Sequence, residues 1–315
     1  ISCDIIGNIH EEIAGLSYDS RNTKEGDLFF CIRGFQTDGH KFAPAAIAAG
    51  AICLVVEEIL DVHVPQVVVA DSRKAMAMIS ATFYGHAAKE IMILGVTGTS
   101  GKTSTTYMLK SILEQAGKKV GLIGTISNQV GEKELTASHT TPESLDLHKL
   151  LRQMIEEGLD TVVMEVSSHS LTLDRVYGIE FEGAIYTNLS QDHLDFHKDF
   201  TEYKEAKSLL FRHAKHSAIN MDDAYAIYMM GCASGYVQTY GIEKPADVMA
   251  KHIEGSPAGS RFVMTEKGTQ LPIVLNTPGR FMVYNALGAI TLCFMLGIGM
   301  LFIKQGLEAV KSVPG

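Results

Sequence analysis

The chain has 315 residues and a mass of 34.3 kDa, enough for about two domains at ~100–200 residues each. Apolar residues at 46% and charged residues at 20% exclude a disordered or low-complexity polymer. Lys and Arg number 27 against 36 Asp and Glu, a net charge of -9 that argues against a general nucleic-acid binder but leaves room for a local anion site.

Short apolar runs alternate with turns over residues 1–88: strand Asp27–Ile32, helix Phe42–Ala49, strands Ala51–Val56 and Gln66–Val69, helix Ser72–Tyr84. This is a small α/β pattern. A second unit, 89–315, opens on the run Ile91–Val96, as expected of a strand buried on both faces of a parallel sheet. Helix Lys102–Ala116 follows, closed by Gly117, then strand Val120–Ile123. Thr141 reads as an N-cap with Pro142 at the first helical position, opening a helix to Glu157. Strands Thr161–Met164 and Gly183–Thr187 come next. Helix Asp199–Ala214 is opened by Asp199 and Glu202 in capping-box spacing, and strand Ser217–Asn220 follows it. Tyr236–Asn276 reads as short strands forming a hairpin annex. Helices are expected over Gly279–Leu296 and Met300–Val313. The fold class is therefore α/β, a small N-terminal α/β domain (1–88) plus a doubly wound, mostly parallel-sheet domain (89–315).

Ala286–Ile303 is nearly free of charge and long enough to suggest a membrane span. Leu296-Gly297-Ile298-Gly299 breaks it into two packed helices, so no membrane partner is expected. Five scattered cysteines without CxxC spacing fit a reducing, cytoplasmic setting. Ile1–His10 carries no secretory leader pattern, Ile1 is not expected to be the natural start, and Val313-Pro314-Gly315 reads as the entrance to a further segment.

The sharpest motif is Thr97-Gly98-Thr99-Ser100-Gly101-Lys102-Thr103-Ser104, between a buried strand and a helix. Glycines let backbone N–H groups turn toward phosphates, and the helix N-terminus adds a positive dipole end. Lys102 suits β/γ-phosphates and Thr103 suits Mg²⁺. Val96 stands where the general phosphate-loop pattern asks for glycine. Glu165 ends a buried strand, as a Mg²⁺-ligating acid does, although taken alone it reads as an ordinary strand-end carboxylate. Asn188-Leu189-Ser190-Gln191-Asp192-His193 follows another strand, so three strand ends converge on one sheet edge. His193 and His197, four apart, could be read as a metal pair; one of them near Mg²⁺ is expected rather than a zinc site, with His197 a solvated or capping histidine. Lys207 borders the apolar face of its helix, where most lysines only extend to solvent.

These residues carry a resemblance. Leu16–Arg21, Gly26–Phe29, Gly34–Gly39, Thr97–Thr103, His139–Glu143, Met164–His169, Thr187–Phe196, Tyr203–Lys207 and Gly279–Leu287 together resemble the Mur ligases of the peptidoglycan pathway. Within that family they are most similar to the UDP-N-acetylmuramoyl-tripeptide synthetase branch. The resemblance implies an ATP-dependent amide ligase. It would activate the terminal carboxylate of UDP-N-acetylmuramoyl-L-alanyl-D-glutamate as an acyl phosphate and join it to a diamino acid, meso-diaminopimelate or L-lysine. It implies that 1–88 binds the UDP-muramoyl group and 89–315 binds ATP. Ser20, Gln36 and Thr37 would hold UDP, and Thr140, Thr141, Ser167 and Arg175 the muramoyl-peptide. Gly98–Ser104 and Asn285 would hold ATP. Lys102, Glu165, His193 and Lys207 would be catalytic, with Thr103, Glu165, His193 and a carbamylated Lys207 around Mg²⁺. Met282 departs from an Asn common in relatives, and Leu173 from a polar contact. The family's C-terminal ligase domain is not found in the sequence, so impaired amide formation is expected; a monomer is expected as well. The alternatives are a sister Mur-type or folylpolyglutamate synthetase-like enzyme, or an inactive nucleotide- and UDP-sugar-binding module.

Overall fold

The computed structural model describes residues 2–8, 11–34, 37–190 and 199–312. The chain divides into two compact units. The first comprises Ile1–His86 with Glu143–Lys149 and Leu173–Gly178; the second holds the remainder.

The first unit contains β1 (Cys3–Ile6), β2 (Gly15–Ser17), β3 (Asp27–Phe30), α1 (Ala43–Ala48), β4 (Cys53–Val56), β5 (Gln66–Val69) and α2 (Ser72–Phe83). The sheet runs β1-β5-β4-β3-β2, parallel except for β1 at its edge. Every residue of β3 and β4 is buried, as a strand covered on both faces requires. Leu28, Phe30, Val55 and Met76 pack on one face, joined by Leu145; Phe29, Leu54, Ala43 and Ala46 pack on the other. Strands β1 and β2 lay outside the sequence expectation. Each is three or four residues long, and β1 is exposed throughout, so neither carries a burial pattern. Asp71 caps α2, its carboxylate accepting from the N–H groups of Arg73 and Lys74.

The second unit contains β6 (Met92–Thr97), α3 (Lys102–Gln115), β7 (Val120–Ile123), β8 (Ser127–Val130), β9 (Lys133–Thr136), α4 (Ser144–Glu156, from Leu150 onward), β10 (Thr161–Glu165), α5 (Ser168–Thr172), β11 (Phe181–Tyr186), α6 (Phe200–Arg212), β12 (Ala214–Asn220), α7 (Ala226–Cys232), β13 (Tyr236–Gly241), β14 (Val248–Ser256), β15 (Gly259–Glu266), β16 (Thr269–Leu275), α8 (Arg280–Met295) and α9 (Met300–Ala309). One eleven-stranded sheet runs β16-β15-β14-β13-β12-β11-β6-β10-β7-β8-β9. Strands β7, β10, β6, β11, β12, β13 and β14 pair in parallel, and antiparallel strands extend the sheet at both ends. The doubly wound class stands.

The hairpin annex is corrected in part: β14–β16 are consecutive antiparallel strands, as hairpins require, but Tyr236–Gly241 is a further parallel strand and all of them continue the same sheet. Their alternating inner residues Ala250, Phe262, Met264 and Ile273 pack into the core beneath α3, α8 and α9. Leu109, Ile112, Leu287, Ile290, Ile303 and Leu307 belong to that core. The apolar stretch Ala286–Ile303 is indeed two helices, and among the described residues no helix is long and apolar enough to cross a membrane. Asp199 caps α6 as expected, accepting from the Glu202 N–H at 2.9 Å. The helix expected from Thr141 starts instead at Ser144. The Thr141 hydroxyl is taken up elsewhere: it donates to the Glu165 carbonyl at 2.9 Å and accepts from the Ser167 N–H at 3.2 Å.

Candidate active site

β6 lies between β10 and β11, so their carboxyl ends share one edge of the sheet. The loop between β6 and α3 holds Gly98-Thr99-Ser100-Gly101. Val96 is fully buried inside β6, paired with Glu165 and Ile185. The missing glycine of the general motif therefore falls in the strand, and the turn begins only at Gly98.

Gly98 has φ +153°, and a Cβ there would sit 1.9 Å from the Thr187 hydroxyl. Gly101 has φ +85°, and a Cβ there would meet Asn285 Oδ1 at 2.4 Å. Both positions exclude side chains by conformation and by space. The loop is tied to the end of β11. Thr99 N–H donates to the Asn188 carbonyl at 2.9 Å, Ser100 N–H to Asn188 Oδ1 at 3.0 Å, and the Thr187 hydroxyl to the Ser100 carbonyl at 2.7 Å. Lys102 Nζ lies over the loop, donating to the carbonyls of Gly98 and Thr99 at 3.0 and 2.9 Å. Ser104 lies on the first turn of α3.

Glu165 is 1% exposed. Its Oε1 accepts from the Thr103 hydroxyl and the Thr125 N–H, both at 3.0 Å, and its Oε2 from the Thr125 hydroxyl at 3.1 Å. The Thr125 hydroxyl also lies 3.0 Å from Thr140 Oγ1. All of these donors are neutral. A buried carboxylate beside a hydroxyl, with no cationic side chain in an ion pair to it among the described residues, is an oxygen donor set that fits a hard divalent cation.

Lys207 is 1% exposed, which sets aside the solvent-directed reading. Its Nζ donates to the Gly98 carbonyl at 3.0 Å and lies 4.6 Å from the Tyr203 ring centroid. Tyr203 in turn shares a 3.0 Å hydrogen bond with Thr99. Helix α6 thus delivers two side chains to the Gly98–Gly101 loop. Ser167 accepts from the Ser170 N–H and caps α5.

Beside the loop, Ser100, Gly101, Asn188, Asp222, Tyr284 and Asn285 line a cleft of about 320 Å³, with Phe281 on its wall at 64% exposure. Asp222 accepts from the N–H groups of Ile242, Glu243 and Lys244 and from the Tyr284 hydroxyl. Burial works to raise the Asp222 pKa, but these donors bring it below the usual value. Tyr284 is pushed up to about 12 by burial and by its bond to Asp222. Met282 is buried behind the cleft, and Asn285 Nδ2 donates to its sulfur at 3.7 Å.

In the first unit, Ser20 lies on the turn after β2. The Gly34 N–H donates to the Thr37 carbonyl at 2.9 Å, while Thr37 itself is exposed. Arg175 Nη2 lies 2.8 Å from Glu143 Oε1, and Arg73 Nη1 lies 3.2 Å from Glu143 Oε2. Tyr18 donates to Asp146 at 2.6 Å. His148 is buried, and neither ring nitrogen has a hydrogen-bond partner among the described residues. Gln36, His193 and His197 lie outside the described residues.

The structure therefore brings Gly98, Thr99, Ser100, Gly101, Lys102, Thr103, Thr140, Glu165, Lys207 and Asn285 into one connected region of the second unit. Thr141 and Ser167 join it through the Glu165 carbonyl. Thr125, Thr187, Asn188 and Tyr203 belong there too and were not anticipated. Thr125 follows a buried strand at its carboxyl end, the same positional rule that marked Glu165.

Known proteins place this geometry. Residues 96–293 match the model of the Mur ligase middle domain, and residues 12–84 that of the Mur ligase family catalytic domain. A UDP-N-acetylmuramoyl-L-alanyl-D-glutamate–2,6-diaminopimelate ligase of Clostridium botulinum is 49% identical over 310 residues, 97% of this chain and 64% of that protein. A protein named ligase 1 of the same kind in Clostridium acetobutylicum is 46% identical over 314 residues, 99% of this chain and 65% of that protein. A solved structure of a ligase with the same substrate name superposes with a TM-score of 0.87 at 28% identity, covering 98% of this chain and 66% of that one. The chain thus spans just under two thirds of the length of the curated relatives it matches. With its middle-domain match covering well over half of its residues, the chain belongs to the Mur ligase family.

Proposed function

We propose that the protein of which this chain forms the whole or a part is an ATP-dependent amide ligase of peptidoglycan synthesis. It would join meso-diaminopimelate to UDP-N-acetylmuramoyl-L-alanyl-D-glutamate. The observation that carries this reading is the phosphate loop joined through Thr103 to the buried Glu165, in a chain 49% identical to a relative named for that reaction. L-lysine was the other amine left open by the sequence; the names of the relatives favour diaminopimelate.

In this reading the N–H groups of Gly98–Ser104 and the N-terminus of α3 cradle the ATP phosphates. Lys102 moves from loop carbonyls to β/γ oxygens, and Asn285 meets the base in the cleft. The substrate carboxylate oxygen attacks the γ-phosphorus as the bond to ADP breaks, giving an acyl phosphate. The amine nitrogen then attacks the acyl carbon, phosphate leaves, and the nitrogen loses a proton. Thr103, Glu165, His193 and Lys207 would hold Mg²⁺, which would neutralise charge on the transferring phosphoryl group. Carbamylation would make Lys207 anionic: its neutral amine adds to CO₂ and releases one proton. The carbamate keeps one N–H, which could still donate to the Gly98 carbonyl. Residues 1–88 would form the UDP-muramoyl domain, with Ser20, Gln36 and Thr37 on the uridine side. Thr140, Thr141, Ser167 and Arg175 would meet the muramoyl-peptide. A cytoplasmic, monomeric protein is the setting this chemistry suits.

The test supplies Mg²⁺–ATP and UDP-muramoyl-dipeptide with meso-diaminopimelate or L-lysine, and follows ADP and the tripeptide product. Dipeptide-dependent ADP release with diaminopimelate as the preferred amine is expected. Nucleotide binding without dipeptide-dependent turnover for either amine would reduce the protein to a binding module.

A further inference from the structure

Thr125 stands between two groups of the site. Its hydroxyl is 3.1 Å from Glu165 Oε2 and 3.0 Å from Thr140 Oγ1. A hydroxyl carries a single proton and serves one acceptor at a time. Its backbone N–H stays on Glu165 Oε1, so the residue is anchored while the hydroxyl can choose. The anchoring comes from the chain itself, because β7 pairs in parallel with β10 and brings the segment after Ile123 alongside Glu165.

We infer that Thr125 is a positioning residue that couples cation and nucleotide binding at Glu165 to muramoyl-peptide binding at Thr140. This rests on the functional reading above, in which Glu165 faces Mg²⁺ and Thr140 faces the substrate. A cation drawing on Glu165 Oε2 lowers that oxygen's need for the Thr125 proton. The proton then goes to Thr140 Oγ1, fixing the direction in which the Thr140 hydroxyl offers its own proton to a substrate acceptor. Substrate at Thr140 biases the same choice in return, since linkage between two sites is reciprocal.

The measurement is calorimetric. Affinities for a non-hydrolysable Mg²⁺–ATP analogue and for UDP-muramoyl-dipeptide are taken for the protein, each alone and each with the other saturating. The readout is the ratio of the two affinities, which a general weakening of either site leaves unmoved. The wild type is expected to show a ratio of about 5 or more, within the usual range of coupling. Thr125→Val, which keeps the N–H and shape but loses the hydroxyl, should bring the ratio to about 1. Thr125→Ser should restore it. Thr125→Ala gives a second hydroxyl-free variant should the valine protein fail to fold. A wild-type ratio that survives in Thr125→Val or Thr125→Ala overturns the coupling and leaves the functional reading standing. A wild type that binds neither ligand overturns both.

Discussion

Two glutamates, one in each unit, are buried in opposite ways. Glu143 is 13% exposed at its side chain and faces two guanidiniums, those of Arg175 and Arg73. Glu165 is 1% exposed and faces two threonine hydroxyls and one N–H. Taking a carboxylate out of water is costly unless its charge is met. At Glu143 the chain meets the charge with its own arginines, which gives a structural clasp. At Glu165 dipoles hold the carboxylate in place but supply no countercharge. That is the arrangement expected where a cation must bind and leave. The two acids differ in the kind of partner far more than in the degree of burial, and under the proposed function Glu165 would be the one that faces a cation.

Four substitutions would break or sharpen this contrast. The largest effect is expected from Glu165→Gln, which keeps the shape and removes the charge. Mg²⁺-dependent turnover should fall by about a thousandfold, on the order of 4 kcal/mol in the barrier, while the melting temperature holds or rises. A protein that melts well below wild type yet keeps its Mg²⁺ dependence would place Glu165 with the structural acids. Glu143→Gln should do the reverse. It leaves two guanidiniums without their carboxylate and should cost about 3 kcal/mol in denaturant unfolding, with affinity for an ATP analogue unchanged. Loss of nucleotide binding without loss of stability would contradict the clasp.

The third concerns His148, in the same unit as Glu143. Burial, with a smaller contribution from His86, lowers its pKa to about 4. Between that value and the unfolded value near 6.5, the unfolded chain binds the extra proton. The stabilisation is therefore complete above about pH 6.5 and lost as pH falls toward 4, roughly 3 kcal/mol in all. His148→Leu should flatten that part of the stability–pH curve; an unchanged slope would assign the acid sensitivity elsewhere. The smallest effect is expected from Asp71→Ala. It removes the cap of the helix that carries Arg73 and should cost about 1 kcal/mol, read from the urea midpoint.

Much of this was legible beforehand, for physical reasons. Continuous apolar runs marked β4, β6, β10 and β11, because strands buried on both faces cannot alternate. The Gly98–Ser104 loop was legible from its glycine–lysine–threonine motif between a buried strand and a helix. Glu165 was legible because the carboxyl ends of parallel strands are where open sheets present chemistry. The failures have causes as well. The hairpin β8–β9 and helices α5 and α7 are too short to show a period. The annex was set apart because its strands are half-exposed, although pairing makes them part of the main sheet. Lys207 could be placed at the border of its helix's apolar face. Its complete burial depends on Tyr203 and the loop, which lie far off in sequence. Thr125 stands just past the carboxyl end of a strand, a position the sequence does mark, but its contact with Glu165 depends on the parallel pairing of β7 with β10, which the sequence does not show.

The central position of β6 also dictates when the site around the glycine loop can exist. Its two neighbours, β10 and β11, emerge about seventy and ninety residues later in the chain. At ~5–20 residues per second, a ribosome needs on the order of 5–20 s to supply them. During that interval the glycine loop is already made but has no strand on either side, and its anchors Thr187 and Asn188 have not been translated. No built loop site therefore exists on a nascent chain, and the site takes shape only on closure of the sheet centre. A ligand that arrives only then acts on how long the native state lasts, with little influence on how fast it is reached.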